Sequence, residues 1–280
     1  MGELYLRKVV LDIAGSSGGS TRIENLRINF TVKKTPRATP NDSQISIYNL
    51  SPQTRTLVES KNCSLVLSAG YLGLDQGGFL GTGFSSSKNV EVIFKGTVKK
   101  YEHVKEGTSL ITKIEAADGH IAYISKTFDK GYPADTKLRL PFKDLSDAIG
   151  LPKGAQLEIP NENIANGLSL SGLIRDHLDM LCKRYNLEWS IQDEALQITQ
   201  AGGFTTDGIV YLSDETGLIG SPAKTKDGVE FSSLLQPTIR PGKQVSVKSK
   251  LINGTFTCRN VTHEGDSHQG DFLTKVEAKL

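Results

Sequence analysis

The first 118 residues alternate between apolar and polar positions with a period of two, in runs separated by turn-forming residues. Successive side chains of a strand point to opposite faces, so this alternation predicts antiparallel strands with one face on a core. Several strands at this spacing favour a β-barrel or a β-sandwich. The predicted strands cover 27–33, 44–50, 64–68, 90–94 and 109–116.

A short helix is predicted to interrupt these strands. Ser51 is a residue type that caps helix N-termini. Pro52 follows at the first helical position, where its missing N–H costs nothing. The pattern predicts about two helical turns over 53–60.

The middle third has a mixed pattern. The segment 141–149 is predicted to be a short helix ended by Gly150, and the polar segment 151–167 a loop. The best helix pattern follows, with Ser169 or Ser171 as its N-cap. Its apolar face consists of Leu170, Leu173, Ile174, His177, Leu178, Leu181, Cys182 and Tyr185.

The chain then returns to strand patterns. The segment 187–191 is predicted to pair with 195–199 across a tight turn near Asp193, which completes a small α+β unit. Further strands are predicted at 208–212, 229–234, 243–248, 255–263 and 272–278. The order therefore predicts a mainly β protein with a small α+β insert.

Residues 70–89 form a loop rich in Gly and Ser between two predicted strands, as in an elongated hairpin tip. Gly78 and Gly83 have the spacing of a phosphate-binding loop, but Phe84 stands where that motif needs a lysine, and no helix pattern follows. We therefore expect a mobile hairpin or a subunit-contact loop instead of a nucleotide site. The residues expected at the contact are Gly77, Gly78, Phe79, Gly81, Gly83 and Phe84.

The charge is nearly balanced, with 33 basic and 31 acidic side chains and a formal net charge of +2. This balance gives no electrostatic case for specific nucleic-acid binding, which calls for a basic stripe. No apolar stretch approaches the ~20 residues of a spanning helix, and the first residues lack a signal-peptide pattern. No membrane anchor is expected.

Candidate reactive residues each have a simpler structural explanation. Cys63, Cys182 and Cys258 stand far apart, which predicts reduced, mostly buried thiols and argues against a disulfide framework or a zinc site. The segment 263–268 holds histidines and acids, but a polar hairpin turn explains it better than a metal site. His177 is expected in a core or an interface.

No catalytic motif stands out in the chain. It contains no G-x-S-x-G or H-E-x-x-H motif and no local signature of a catalytic thiol. Its acidic residues lie in no recognisable catalytic setting. We therefore expect no enzyme, with no catalytic, cofactor-binding or metal-binding residues and no cofactor.

Several stretches together resemble the hub proteins of bacteriophage tail baseplates. In that family a strand ending in Tyr-Asn-Leu-Ser precedes a short helix, as in 35–51 here, and 116–119 resembles the exit from the first barrel. The helix and hairpin over 173–198 are similar to the family's middle domain. The stretches 233–242 and 261–266 resemble its last barrel.

This resemblance implies a homotrimer in a virion, assembled in the host cytoplasm. Each subunit would carry a first tube-like β-barrel domain (1–118), an α+β connector (119–201) and a second tube-like β-barrel domain (202–280). Part of 202–235 would be able to return to the first barrel. The trimer would adapt the six-fold tail tube to a three-fold spike. The implied partners are sister copies, the tail tube or distal tail protein, the central spike protein, other baseplate proteins and the tape measure protein.

Two other functions remain open from the sequence. One is a tail-associated hydrolase of peptidoglycan, which the baseplate context alone suggests. The other is a β-barrel module that binds nucleic acid or glycan, and the near-neutral charge disfavours nucleic acid.

Overall fold

The computed structural model describes residues 4–16, 18–73, 89–156, 159–205 and 208–280. Strands dominate these ranges and short helices accompany them, so the prediction of a mainly β protein with a small α+β insert is confirmed. Among the helices of the described ranges, none has both the length and the apolarity needed to cross a membrane.

The first β-rich part comprises β1 (Leu4–Ala14), β2 (Ser20–Ile23), β3 (Ile28–Lys34), β4 (Asp42–Tyr48), α1 (Pro52–Val58), β5 (Ser64–Gly73), β6 (Asn89–Glu106) and β7 (Ser109–Ala117). The alternation of apolar and polar residues matches the two faces of these strands. In β3, for example, Phe30 is buried while Lys33 points outward. The hydroxyl of Ser51 accepts a hydrogen bond from the Thr54 N–H at 3.2 Å. The predicted N-cap of α1 is therefore confirmed.

The middle part comprises α2 (His120–Ser125), β8 (Thr127–Tyr132), β9 (Thr136–Lys137), α3 (Arg139–Ala148), β10 (Lys153–Gln156), β11 (Asn163–Ile164), β12 (Leu168–Leu173), α4 (Ile174–Arg184), β13 (Leu187–Gln192) and β14 (Ala195–Gln200). The predicted hairpin is confirmed, since β13 and β14 pair antiparallel with Gln192 opposite Ala195. Asp193 and Glu194 form its turn, both with positive φ.

The main helix begins later than its apolar face predicts. Leu170 lies in β12, opposite Lys130 of β8, and is almost fully buried. Helix α4 starts at Ile174, where no side-chain hydrogen bond caps it, so the caps predicted at Ser169 and Ser171 are wrong. A short apolar run suits a buried strand as well as a helix, and here the pairing with β8 decides.

The segment 151–167 is not the plain loop that its polarity predicts. It contains β10, which pairs parallel with β14, and β11, which pairs with β9.

The sequence also predicts no strand for β1, although β1 is long. Val9 and Val10 are both buried there, which breaks the alternation that marks a strand with one solvated face.

The last part comprises β15 (Ile209–Ser213), β16 (Leu218–Lys224), β17 (Gly228–Leu234), β18 (Gln244–Lys248), β19 (Asn253–Asp266) and β20 (Phe272–Lys279). One sheet, called here the shared sheet, joins this part to the first. Its strand order is β16-β17-β20-β19-β3-β4-β7-β6-β5-β1-β2, with β18 also beside β19 and β15 beside β18.

The two β-rich parts meet where β19 pairs with β3. The antiparallel register runs from Val261 opposite Lys34 to Asp266 opposite Asn29. Backbone hydrogen bonds thus cross between parts of the chain that are far apart in sequence. The first and last parts of the chain therefore belong to one sheet, joined by the hydrogen bonds between β3 and β19.

Buried side chains form a core in each of the three parts. Leu235 and Phe272 come from the last part of the chain but pack into the core of the first. The Tyr71 hydroxyl donates to the carbonyl of Phe272 at 3.0 Å, which ties β5 to the start of β20. Part of the later chain therefore contributes to the first core.

Gly265 leaves the room for an aromatic contact inside the shared sheet. A Cβ there would lie 2.5 Å from Cδ2 of Phe272 and 2.9 Å from Cζ of Phe30, two buried rings that pack edge to face. Gly265→Ala should therefore lower the free energy of unfolding by about 2 kcal/mol through overpacking. Gly131→Ala is the control, because a Cβ at Gly131 meets nothing within 4 Å. Urea unfolding of both variants checks this, and equal losses would contradict it.

Candidate functional site

Of the loop predicted over 70–89, residues 70–73 belong to β5 and Asn89 belongs to β6, so the predicted loop bounds are wrong there, and 74–88 lie outside the described residues. Gly77, Gly78, Phe79, Gly81, Gly83 and Phe84 all fall within 74–88. The flanking strands β5 and β6 pair antiparallel, with Tyr71 opposite Asn89. Its role in subunit contact stays a prediction.

The outer face of the shared sheet is mostly polar from β19 of the last part to β6 of the first part. One row of directly opposed residues crosses β20, β19, β3, β4, β7 and β6 through Leu273, Glu264, Thr31, Gln44, Glu115 and Lys100. The neighbouring row includes Asn29, Ser46, Lys113 and Glu102. Both rows contain charges of both signs. We call this surface the polar face.

A buried ion pair joins the middle part to the joint between β3 and β19. The Lys34 side chain is 1% exposed, and its Nζ lies 2.7 Å from Oδ1 and 2.6 Å from Oδ2 of Asp193. Asp193 sits in the β13–β14 turn, where its positive φ is one that Asp tolerates. A buried ammonium is stable only with such a partner, so this turn is held at the joint.

A hydrogen-bond network beside this pair completes the attachment. Asp118, at the end of β7, accepts from Asn41 N at 2.7 Å, from Asn41 Nδ2 at 2.9 Å and from Asp193 N at 3.2 Å. Asn41 Nδ2 also donates to the Ile191 carbonyl at 3.0 Å. Gln192 Nε2 donates to the Thr35 carbonyl at 2.7 Å. The strand ends of the first part are therefore bonded to the hairpin of the middle part. We call Lys34, Asn41, Asp118, Gln192 and Asp193 the junction network.

Burial shifts two acid–base groups at this joint in opposite directions. Burial raises the pKa of Asp118 to about 7, against the lowering effects of the Asn41 hydrogen bonds and the Lys34 charge. Burial lowers the pKa of His263 to about 3, and the charge of Lys34 lowers it further. The Nδ1 atom of His263 lies 2.9 Å from Oγ1 of Thr274, so the ring is fixed within the sheet.

A surface groove of about 600 Å³ lies between α4, β13, β19 and the loop after β3. Trp189 Nε1 donates to Oδ1 of Asp179 at 2.6 Å. Arg259 Nη2 lies 2.9 Å from each carboxylate oxygen of Glu188 and so ties β19 to β13. Both carboxylates that line the groove are thus held by fixed donors. The Arg259–Glu188 ion pair in this groove is a second attachment between the middle and last parts.

The prediction of a polar hairpin turn over 263–268 is only partly right. Residues 263–266 belong to β19, where His263 is buried, and the turn follows at Asp266, which accepts from the N–H groups of His268 and Gln269. His177 is buried on α4, which agrees with the core alternative of its predicted core or interface position. Within the described residues, no group of His, Cys, Asp and Glu could hold a metal ion.

The three thiols are free and buried, as predicted. Burial raises the pKa of Cys63, and it raises the pKa values of Cys182 and Cys258 to about 12. The thiolate is the nucleophilic form, so these groups are inert in this fold.

Sequence reasoning does not find the junction network. Asn41 and Asp118 both lie within stretches that carry the family resemblance, but their pairing depends on β4 and β7 being neighbours. Lys34 resembles any exposed lysine at the end of an alternating strand. The one available signal is its inward register, because Ile28, Phe30 and Val32 of the same strand are buried.

Comparison with family models matches residues 6–278 to the family described as baseplate hub gp41. The comparison with curated proteins gives no match.

Solved structures of tail proteins share the fold. The 43 kDa tail protein of prophage MuSo2 from Shewanella oneidensis aligns with a TM-score of 0.64 at 8% identity, over 97% of this chain and 98% of that chain. The tail protein from Neisseria meningitidis MC58 aligns with a TM-score of 0.63 at 10% identity, over 99% and 97%.

A secretion-system protein shares the fold as well. The E. coli c3393 protein, a component of the type VI secretion system, aligns with a TM-score of 0.62 at 11% identity, over 96% of this chain and 76% of that chain. That protein is described as structurally similar to the T4 bacteriophage tail proteins gp27 and gp5. The family model spans nearly the whole chain and these likenesses agree with it in fold, so the chain belongs to the baseplate hub gp41 family, a structural component of phage tail baseplates.

Proposed function

We propose that the chain is the structural, non-catalytic hub of the baseplate and that it works as a homotrimer between a six-fold tail tube and a three-fold spike. The observation that carries this proposal is the polar face, which lies on one sheet shared by two β-rich parts of one subunit. Each subunit would then present two β-rich domains, 1–118 and 202–280, joined by the connector 119–201. Three subunits would present six.

Two free strand edges at opposite ends of the polar face suit a ring. At one end, β16 pairs only with β17 among the described residues. At the other end, β5 pairs with β6 only up to Thr97, which leaves the outer half of β6 bonded to β7 alone in the described part of the chain. A ring needs two different surfaces on each subunit, and closure removes the exposed edges.

The polar face also suits the partners. A surface with charges of both signs stays hydrated and carries no strong field of one sign. We propose that it lines a passage shared with the tail tube, and that the ends of the trimer contact the tube or distal tail protein and the central spike protein. Other baseplate proteins and the tape measure protein are further proposed partners, and assembly would take place in the host cytoplasm.

The hydrolase function gains no support from the groove. Its two carboxylates, Asp179 and Glu188, are held by Trp189 and Arg259. A glycosidase needs one carboxyl group as proton donor and the other free to act on the sugar or on water. We therefore propose no catalytic role for this chain.

The free edge of β6 gives a test of the trimer. Glu106 and Ser109 flank a two-residue turn, so they exchange backbone hydrogen bonds, as does every second residue pair along the hairpin. Lys105 belongs to a pair that does not exchange them, so its N–H points away from β7, to the free edge of β6. Lys105→Pro removes this donor without breaking the hairpin ladder. We expect the native chain to be a trimer in light scattering and Lys105→Pro to dissociate at least about tenfold more readily.

Lys105→Ala is the matched control, because it removes the same charge and keeps the N–H. It should remain a trimer. If the native chain is a monomer at high concentration, the hub proposal fails. If both variants stay equally trimeric, the β6 edge is not the contact.

A further inference from the structure

Two Asn-Gly dipeptides occur in the chain, Asn166-Gly167 and Asn253-Gly254. In such a dipeptide the backbone nitrogen of glycine can attack the side-chain carbonyl of asparagine, because glycine has no side chain that hinders the approach. The reaction needs an asparagine side chain that is free to turn and a glycine N–H that is not held in a hydrogen bond. The structure meets both conditions at one dipeptide and neither condition at the other.

Asn166 and Gly167 lie in the exposed link between β11 and β12. Within the described residues, neither the Asn166 side chain nor the Gly167 N–H forms a hydrogen bond. The antiparallel pairing of β12 with β8 begins only at Leu168, after the dipeptide. Both reacting groups are therefore in contact with water and free to approach each other.

Asn253 and Gly254 are held in the antiparallel hairpin of β18 and β19. Asn253 Oδ1 accepts from the Ser249 N–H at 2.9 Å, which fixes the asparagine side chain. The Ser249 N–H also donates to the Ile252 carbonyl at 3.1 Å, at the end of the hairpin. Hydrogen-bonded pairs alternate along an antiparallel ladder, so the Gly254 N–H is bonded to the carbonyl of Val247, the residue opposite. Attack by the Gly254 nitrogen therefore requires the hairpin to open locally first.

We propose that Asn166 is a site of spontaneous deamidation, with water as the only co-reactant. The Gly167 nitrogen loses its proton and bonds to Cγ of Asn166, and the side-chain nitrogen leaves with a proton as ammonia. Water then opens the resulting cyclic imide at either of its carbonyl groups. The product carries aspartate or isoaspartate at position 166, and in both cases the chain gains a negative charge.

The isoaspartate product changes the backbone as well as the charge. Its main chain passes through Cβ, which lengthens the link between β11 and β12 by a carbon atom. Strand β11 consists of two residues and pairs only with β9 within the described part of the chain. Its Ile164 is 2% exposed and belongs to the core of the middle part. The modification therefore acts beside the attachment of β11 to this core.

Incubation of the purified full-length chain at mildly alkaline pH tests the proposal, because loss of the glycine N–H proton is favoured there. Peptide mass spectrometry measures deamidation at each dipeptide, and an isoaspartyl methyltransferase labels the isoaspartate product. We expect the folded chain to react at Asn166 at least about tenfold faster than at Asn253, whose reaction waits for the hairpin to open. Asn166→Gln is the matched control, because glutamine keeps the amide but holds its carbonyl a carbon further from the Gly167 nitrogen. This variant should lose most of the isoaspartate label.

The same incubation in urea separates the effect of the fold from that of the local sequence. Unfolding frees both dipeptides, so the rates at Asn166 and Asn253 should become nearly equal. Three results would overturn the inference: equal rates in the folded chain, a rate ratio in urea as large as in the folded chain, or an Asn166 that reacts only in urea. The inference does not rest on the proposed function, which light scattering of the purified chain tests separately.

Discussion

Asp193→Asn should lower the free energy of unfolding by about 3 kcal/mol, because it leaves the buried ammonium of Lys34 without its partner. Asn has the shape of Asp and tolerates the positive φ of this turn, so the backbone is not strained. The nearby carboxyl group of Asp118 still attracts Lys34, which keeps the loss near the lower end for a broken buried pair. Trp189, the single tryptophan, lies in β13 and reports unfolding of this region by fluorescence.

Two controls isolate the buried charge as the cause. Glu106→Gln breaks an exposed ion pair with Lys113 and should cost less than about 1 kcal/mol. Lys34→Met combined with Asp193→Asn removes both charges and should recover most of the loss, because an apolar side chain suits the buried site. If Asp193→Asn costs no more than Glu106→Gln, the junction network does not hold the hairpin.

His263→Gln and Asp118→Asn should show pH slopes of opposite sign. The pKa of Asp118 is raised from 3.8 to about 7 by burial, so its contribution to stability is full below pH 3.8 and is lost as the pH rises to about 7. The pKa of His263 is lowered from 6.5 to about 3 by burial, so its contribution is full above pH 6.5 and is lost as the pH falls. Between pH 4 and 6.5 the two effects nearly cancel.

Each variant removes one of the two titrating groups and leaves the pH dependence of the other. For His263→Gln the free energy of unfolding should decrease as the pH rises from 4 to 6.5, and for Asp118→Asn it should increase, each by up to about 1.4 kcal/mol per pH unit. Urea unfolding at several pH values measures the slopes, and the native chain is the control, with a slope between those of the two variants. Slopes of the same sign in both variants would show that these groups do not titrate as their burial implies.

Local pattern predicts those elements whose burial is one-sided. Strands such as β3 and β4 alternate cleanly, and Ser51 with Pro52 marks the start of α1, so each can be assigned without tertiary information. The prediction of secondary structure from local pattern fails where both faces of a strand are buried, or where pairing with a distant strand decides the conformation. Val9 and Val10 are both buried in β1, and Leu170 is drawn into a strand by its pairing with β8.

The candidate site is predicted less well than the fold. The contact residues that the sequence marks fall within 74–88, outside the described residues, and their contact role stays a prediction. The junction network combines single residues from β3, from the segment before β4, from the end of β7 and from the β13–β14 hairpin. The sequence marks Asp193 only as a turn residue, and no sequence pattern predicts that these residues bond to one another.

The sequence by itself determines the mainly β character, the small α+β insert and the family, because alternation and turn residues act locally and the order of the stretches is read along the chain. It takes the tertiary structure to show that β3 pairs with β19 and that Lys34 is buried against Asp193. The physical reason is that alternation sets which face of a strand is buried but does not name its neighbour. Pairing between distant strands depends on how the whole sheet closes over its cores.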